Sequence, residues 1–258
     1  MSAMPHALLE THALQKRFGG LVATDSVSLA VRRGECHALI GPNGAGKTTL
    51  IGQLAGFLRP DAGTIDFDGR DVTGLNAHQR ARLGFARSFQ ITSILGSFTV
   101  RDNVGLAVQA VTGSSFRFWR AADDEPGLAT QAMEILRTVG LERLGARLAQ
   151  DLSHGEHRQL ELALALATRP QLMLLDEPMA GMGPDESERM VSLIAGLKGS
   201  HTILLVEHDM DAVFRLADRI SVLVAGRIVA TGSGEEIRAN AEVRGAYLGE
   251  DPCGEERP

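Results

Sequence analysis

The distribution of apolar and polar positions predicts that the chain begins with strands. Val27 to Val31 alternates between apolar and smaller or polar residues, and Cys36 to Ile40 is a short apolar run that stops at Gly41. Both patterns are typical of strands. Gly63 to Asp68, which is followed by another glycine, predicts a further strand that closes on a tight turn. Since β segments follow each other closely before any long helix, an antiparallel layer is expected in this part of the chain.

Further along, the pattern changes to one that predicts a parallel sheet. A helix is predicted from Ser153 to about Thr168, where Pro170 stops it. Two runs with the character of buried strands, Leu172 to Leu175 and Thr202 to Val206, are separated by a helical pattern over Asp185 to Lys198. A crossover of this length between two strands implies that they are parallel.

Between these parts, roughly residues 91–158 are predicted to be mostly helical. Thr99 and Asp102 resemble a capping box that opens a helix, and Leu128 to Val139 repeats apolar residues at helical spacing. Residues 112–127 contain turn formers, aromatic residues and an acidic run, and they are predicted to be a loop or insertion.

The predicted organisation is therefore one domain and a short tail. The domain, residues 7–249, has an α/β core made of residues 7–90 and 159–249, interrupted by the helical segment 91–158. Residues 250–258, where Gly, Pro, Glu and Arg crowd together, are predicted to be a flexible tail.

Composition narrows the class of protein. The chain has 258 residues, of which 44% are hydrophobic and 22% charged, as in a globular protein with a sizeable core. No apolar run approaches the roughly 18 residues that span a bilayer, and we expect no signal peptide. A net charge of −6 and 4% aromatic residues argue against a nucleic-acid-binding surface. The two cysteines, Cys36 and Cys253, favour a reducing cytosol over a disulfide framework.

The segment after the strand at Cys36 to Ile40 has the GxxxxGK[ST] pattern of a phosphate-binding loop. Glycines let backbone N–H groups turn toward phosphate oxygens, and the helix that follows adds positive potential. Lys47 supplies a cation for the β and γ phosphates, and Thr48 a hydroxyl for Mg²⁺. The residues predicted to bind the nucleotide here are Gly41, Pro42, Asn43, Gly44, Ala45, Gly46, Lys47, Thr48 and Thr49.

Acidic residues at a strand end predict the hydrolytic part of the site. The run from Leu172 ends on Asp176 and Glu177. Asp176 is expected in the Mg²⁺ shell, usually through water, and Glu177 is placed to deprotonate the attacking water. His208 could hydrogen-bond the γ phosphate, although a histidine at a strand end is commonly only a surface residue. Gln90 could ligate Mg²⁺ through its carbonyl oxygen, which most glutamines do not do.

A second helix end also has the character of an anion site. Ser153 and Glu156 form an S-x-x-E capping box, whose simplest interpretation is a well-started helix. The same helix end, with Gly155 inside it, can present N–H donors to an anion. One nucleotide does not need two such helix ends. We therefore expect Ser153 to serve the nucleotide held by a second copy of the protein.

Taken in order, these motifs resemble the ATP-binding-cassette (ABC) ATPases, over about residues 8–249. The resemblance implies an α/β fold: a P-loop NTPase (RecA-like) core with an antiparallel β layer and an inserted helical subdomain. It implies ATP and Mg²⁺ as ligands and ATP hydrolysis by Lys47, Glu177 and His208. Gln90 and Asp176 would join Thr48 around the metal. Phe18 would stack on adenine, the alternative being a half-buried phenylalanine in a loop.

The resemblance also implies partners. Two subunits, identical or paralogous, would pair head to tail with ATP between the loop of one and Ser153 and Gly155 of the other. Separate membrane permease subunits would do the transport, which places this chain on the cytoplasmic face of the inner (plasma) membrane. Gln90 and the apolar residues after it would lie where a permease docks, unless those residues are ordinary core: Ile91, Ile94, Leu95 and Phe98.

A narrower resemblance is to the ATPases of branched-chain (hydrophobic) amino acid uptake transporters. It rests on these segments: residues 16–20, 86–90, 116–119, 180–184, 217–220, 226–229, 231–232 and 243–248. It implies an importer that receives its solute indirectly from a periplasmic solute-binding protein, with no nucleic-acid partner. A urea or amide importer and a lipopolysaccharide-type export system remain alternatives. A soluble cassette of translation or DNA repair fits less well, because that class usually has two cassettes or a coiled-coil insertion.

The sequence departs from the family pattern at two positions. The signature reads SHGE, so His154 stands where glycine is usual, while Ser153 and Gly155 are kept. We expect phosphate contact to survive this change, with altered packing around His154. Gly183 stands where aspartate is typical, which leaves open how the chain couples the two sites of a dimer.

Overall fold

The structure is a computed structural model that describes residues 7–88, 94–112 and 126–245. It forms two compact units: Met1–Arg80 with Lys198–Pro258, the first unit, and Ala81–Leu197, the second unit. In the described ranges, no helix has the length and apolarity needed to cross a membrane. The subdomain boundaries expected from the sequence stay a prediction. Gln90, Ile91, residues 116–119 and the expected tail at 250–258 lie outside the described residues.

The described ranges form ten strands and nine α-helices, numbered in chain order. The strands are β1 (Ala7–Phe18), β2 (Leu21–Arg32), β3 (Cys36–Ile40), β4 (Ala62–Phe67), β5 (Arg70–Asp71), β6 (Phe85–Ser88), β7 (Leu172–Asp176), β8 (Thr202–Val206), β9 (Arg219–Val224) and β10 (Arg227–Gly232). The helices are α1 (Lys47–Leu54), α2 (Ala77–Arg82), α3 (Val100–Thr112), α4 (Pro126–Thr138), α5 (His154–Ala167), α6 (Pro184–Leu197), α7 (Met210–Leu216), α8 (Gly234–Ala239) and α9 (Ala241–Val243).

The first unit contains the antiparallel layer that the sequence predicts. Its four strands lie in the order β2-β1-β4-β5, and every pair is antiparallel. Three leucines of β1, Leu8, Leu9 and Leu14, are buried, as are Ile65 and Phe67 of β4. Burial of these apolar side chains explains why the strands associate.

A second group of strands in the first unit carries the phosphate-binding segment. Here β3 pairs in parallel with both β8 and β9, and β10 pairs antiparallel with β9. Every residue of β3 and of β8 is buried, which fits their almost wholly apolar sequences. Leu39 lies opposite Val206, so Gly41 and His208 both follow at the carboxyl edge of this sheet. Ligands of open α/β sheets bind at that edge.

The second unit combines two parallel strands with a helical cluster. Strand β6 pairs with β7, Phe85 lying opposite Leu172. The predicted helix at Ser153 is confirmed as α5, with Ser153 as its N-cap. The expected loop at 112–127 is wrong at both ends, because Thr112 belongs to α3 and α4 starts at Pro126. Proline is well tolerated in the first turn of a helix, where its missing N–H costs no hydrogen bond.

Candidate nucleotide-binding site

The phosphate loop lies between β3 and α1 and approaches other backbone segments too closely for side chains. A Cβ atom on Gly41 would lie 2.1 Å from the carbonyl oxygen of Leu223. One on Gly46 would lie 2.1 Å from the carbonyl oxygen of Ala23, and Gly46 has φ +104°. Only glycine fits at these two positions, so the backbone of β2 and β9 shapes the loop.

The N-terminus of α1 follows the phosphate loop directly and has no side-chain cap. Gly46 is the N-cap residue, and it makes no side-chain hydrogen bond to the first turn. Lys47 is buried, and its Nζ donates to the carbonyl oxygens of Gly41, at 2.6 Å, and Pro42, at 3.0 Å. Thr48 is exposed. Uncapped N–H groups, a positive helix end and a fixed ammonium fit a bound triphosphate.

The other end of α1 is capped by Arg80, a residue that no sequence motif indicates. Arg80 is buried, and its Nη1 donates to the carbonyl oxygens of Gln53, at 2.7 Å, and Leu54, at 2.6 Å. Burial lowers the pKa of Arg80 to about 10, which leaves it protonated at neutral pH. A cation at a helix C-terminus is favourable. Arg80 therefore anchors the helix that carries Lys47.

Phe18, the predicted adenine platform, ends β1 and is 48% exposed. The Nζ of Lys16 lies 5.6 Å from the ring centroid, within the range of a cation–π contact. Asp61 fixes the end of β1, because its carboxylate accepts hydrogen bonds from Lys16 Nζ at 2.8 Å and from the N–H of Arg17 at 2.7 Å. Those hydrogen bonds, led by the one from Lys16, lower the pKa of Asp61. The ring is thus presented to solvent on a fixed support.

His208 occupies the short connection between β8 and α7. Its side chain is 62% exposed, and its N–H donates to the buried carboxylate of Glu207 at 3.0 Å. Asp209 caps α7 by accepting from the N–H groups of Asp211 and Ala212. These local bonds fix the backbone around His208. The imidazole remains mostly exposed, with Nδ1 3.8 Å from Glu207 Oε2.

In the second unit, Asp176 ends β7 and pairs with an arginine. Arg87 of β6 donates from Nη2 to Asp176 Oδ2 at 3.0 Å, and the two side chains are only 10% and 7% exposed. Glu177 follows with φ +50°, a conformation uncommon for a residue with a side chain. Ala180 donates its N–H to the carbonyl oxygen of Glu177 at 3.1 Å, so a tight turn follows the predicted base.

The signature segment forms a complete capping box at the start of α5. The N–H of Ser153 donates to Glu156 Oε2 at 2.7 Å, and Ser153 Oγ accepts from the N–H of Glu156 at 3.3 Å. Ser153 is exposed, whereas Gly155 is buried, and a Cβ atom on Gly155 would lie 2.5 Å from Glu186 Oε1. The helix end is therefore open to a ligand or a partner at Ser153.

The predicted residues divide between the units. The first unit holds Phe18, the loop Gly41 to Thr49 and His208, and the second holds Ser153, Gly155, Asp176 and Glu177; Gln90 lies outside the described residues. Among the described residues, no cluster of three His, Cys, Asp or Glu side chains could hold a metal ion. The hydroxyl of Thr48 and the carboxylate of Asp176 are nevertheless oxygen donors of the kind that suits Mg²⁺, which protein sites usually hold together with substrate phosphates.

Comparison with known families decides the assignment. Residues 24–180 match the ABC transporter family, and residues 227–252 match the segment described as "Branched-chain amino acid ATP-binding cassette transporter". The chain belongs to the ABC transporter family. It is an ATP-binding cassette and an ATPase, which confirms the resemblance, the α/β fold class and the activity expected from the sequence.

Individual relatives match this cassette over most of its length. It is 42% identical to the high-affinity branched-chain amino acid transport ATP-binding protein LivG of Salmonella typhimurium, over 96% of this chain and 100% of the relative. It is 38% identical to BraF of Pseudomonas aeruginosa, with the same coverage. A crystal structure of a nucleotide-free ATP-binding cassette from an ABC transporter is 32% identical, with a TM-score of 0.81 over 95% of this chain and 100% of that one.

Proposed function

We propose that this cassette hydrolyses ATP to power the uptake of branched-chain, hydrophobic amino acids through separate membrane permeases. The observation that carries the proposal is the match of residues 227–252 to the branched-chain cassette segment, in a chain 42% identical to LivG. This match favours the importer over a lipopolysaccharide-type exporter. A urea or amide importer is the nearest competing function.

Each predicted site residue of the first unit has a role in ATP binding or hydrolysis. The loop from Gly41 to Thr49 donates backbone N–H groups to the phosphates, and Lys47 adds its charge where negative charge develops. Phe18 stacks on adenine, and His208 holds the γ phosphate and the attacking water in place. The exposure of Phe18 and His208 and the burial of Lys47 support these roles.

The second unit supplies the hydrolytic carboxylates. Glu177 accepts a proton from the attacking water. Thr48, Gln90 and Asp176 would hold Mg²⁺, which neutralises phosphate charge when it is bound. Asp176 is the last residue of β7 and Glu177 is the first residue after it, and this position at a strand end supports the two roles.

A second copy of the chain, or a paralogue, completes the site. Ser153 and Gly155 of one subunit would face the ATP held by the other, so that ATP closes the dimer and hydrolysis opens it. The exposure of Ser153 at a capped helix end supports this arrangement.

The permease would bind near the start of α3. Of the apolar residues expected there, Leu95 and Phe98 are 40% and 44% exposed, so the alternative that they are ordinary core is wrong for these two. Ile94 is half-buried and Ile91 lies outside the described residues. A permease on this surface would hold the cassette at the cytoplasmic face of the membrane, and a periplasmic solute-binding protein would deliver the amino acid.

Hydrolysis is tested with Glu177→Gln and a matched control, Glu134→Gln, on the exposed face of α4. Loss of the base should lower the rate of ATP hydrolysis by about 10²–10⁴-fold while ATP binding is kept. The control should behave like the unchanged chain. Normal turnover of Glu177→Gln would contradict the role of Glu177.

The transported solute is tested with the complete transporter in lipid vesicles. The ATPase rate is measured while leucine, valine, urea or no solute is offered with its binding protein. Stimulation by leucine and valine, and not by urea, is expected. Stimulation by urea alone would favour the competing function.

A further inference from the structure

The ion pair between Arg87 and Asp176 has no task in the function proposed above. It joins neighbouring strands of the second unit, β6 and β7, across 89 positions of sequence. Its length is 3.0 Å, and both side chains are at least nine-tenths buried. A buried carboxylate without a compensating charge is strongly unfavourable, so Asp176 depends on a cation at this position.

The strand register explains why Arg87 is the partner. Residues 87 and 174 are opposite each other in the parallel ladder, so Arg87 lies two positions before the end of β7, where Asp176 stands. The long arginine side chain extends along the strand direction to the carboxylate. A lysine here would offer a charge but no planar group of several N–H donors.

We propose that Arg87 is a positioning residue that compensates the charge of Asp176 and sets how strongly this site takes up Mg²⁺. The inference rests on the proposed role of Asp176 at the metal. An ionised carboxylate has about four lone-pair sites, so one hydrogen bond from Arg87 leaves room for metal-bound water. The guanidinium thus fixes the orientation of the carboxylate, and its positive charge opposes that of the metal.

The contribution of Arg87 predicts two opposite effects of removing it. Without Arg87, Asp176 loses its compensating cation and the folded chain is less stable when no metal is bound. Mg²⁺ then meets less electrostatic repulsion and supplies the missing charge. The Arg87→Met variant should therefore be less stable than the unchanged chain when no metal is bound. Its stability and its ADP affinity should also depend more strongly on Mg²⁺.

The test measures thermal unfolding and ADP binding, each with Mg²⁺ and with EDTA, so that no hydrolysis is involved. For Arg87→Met in EDTA, the unfolding midpoint should fall by roughly 5–15 °C. The ratio of the ADP dissociation constants in EDTA and in Mg²⁺ should rise roughly tenfold or more. Arg87→Lys should lie between Arg87→Met and the unchanged chain, and Arg137→Met, which alters an exposed arginine of α4, should match the unchanged chain.

The outcomes separate this inference from the proposed function. If the unchanged chain binds ADP, but Arg87→Met shows the same unfolding midpoint and the same Mg²⁺ dependence, the role of Arg87 is wrong. The role is also wrong if Arg87→Met loses stability equally in both conditions, because the pair would then be structural only. If the unchanged chain binds no ADP under either condition, the proposed function itself fails.

Discussion

The N–H of Gly226 donates to the carbonyl oxygen of Ala45 at 2.9 Å, so the turn between β9 and β10 is bonded directly to the phosphate loop. The carbonyl oxygen of Gly226 accepts from the N–H of Asp25 at 2.8 Å, and the Arg227 guanidinium pairs with the Asp25 carboxylate. The turn therefore joins β2 to the loop. It stands immediately before the branched-chain segment at 227–252.

Replacing Gly226 by alanine should weaken both folding and nucleotide binding. Gly226 has φ +80°, and an added Cβ would lie 3.0 Å from the carbonyl oxygen of Ala23. We expect the free energy of unfolding to fall by about 1–3 kcal/mol. The ATP dissociation constant should rise, because the loop loses its support. Urea unfolding and equilibrium ATP binding measure the two effects.

A matched variant separates the two causes. Gly69 has φ +73°, and nothing lies within 4 Å of an added Cβ. Gly69→Ala should show the cost of backbone conformation alone and leave ATP affinity unchanged. Equal ATP affinities for Gly226→Ala and Gly69→Ala would contradict the supporting role of the turn.

How far the sequence predicts the fold depends on burial. Strands β3 and β8 are predicted to the residue, because both are apolar runs buried on all sides. Strand β1 has no counterpart among the predicted strands. It mixes charged and apolar residues, and Ala13, with φ +49°, breaks its alternation. A half-exposed strand with irregular register carries little periodic signal.

The same contrast applies to the site. The phosphate loop is a local motif, so its residues can be identified from spacing alone. The pairing of Arg87 with Asp176 depends on which strands are neighbours, and the support of Phe18 by Asp61 depends on how β1 approaches the segment before β4. Neither relationship leaves a pattern in adjacent residues. The sequence signal that points to Arg87 is a charged residue directly after Phe85 and Ala86.

His154, the departure in the signature, contacts the loop that follows the predicted base. Its Nε2 lies 3.2 Å from the carbonyl oxygen of Ala180, whose own N–H bonds to the carbonyl oxygen of Glu177. We therefore expect His154→Ala to lower kcat for ATP hydrolysis about two- to tenfold, which corresponds to the free energy of one lost hydrogen bond. The KM for ATP should stay unchanged. Steady-state hydrolysis measures both constants.

His154→Gln is the matched variant, because its side-chain amide can donate to the same carbonyl oxygen. It should recover most of the lost rate. If His154→Gln is as slow as His154→Ala, the hydrogen bond is not what matters. If His154→Ala hydrolyses ATP as fast as the unchanged chain, the side chain of His154 contributes nothing to kcat.

Glu35 predicts an acid-dependent loss of stability in the first unit. Burial alone would raise its pKa, but hydrogen bonds from His37 and the N–H of Arg32, with the charges of His37 and Arg219, bring the pKa below the ordinary 4.5. The carboxylate lies 3.0 Å from His37 Nδ1, and His37 Nε2 lies 2.9 Å from Ser221 Oγ. The network spans the base of β3 and β9.

The sign of the pH effect follows from the lowered pKa. Such a carboxylate adds stability above its unfolded pKa, and that stability is lost as the pH falls through its folded pKa. The unchanged chain should therefore exceed Glu35→Gln by about 1–3 kcal/mol near pH 7, with the difference shrinking below about pH 4.5. Urea unfolding at a series of pH values measures it, with Glu134→Gln as an exposed control. A stability difference that does not change with pH would contradict the role of the Glu35 charge, because protonation of the carboxylate would then leave the contribution of Glu35 unaltered.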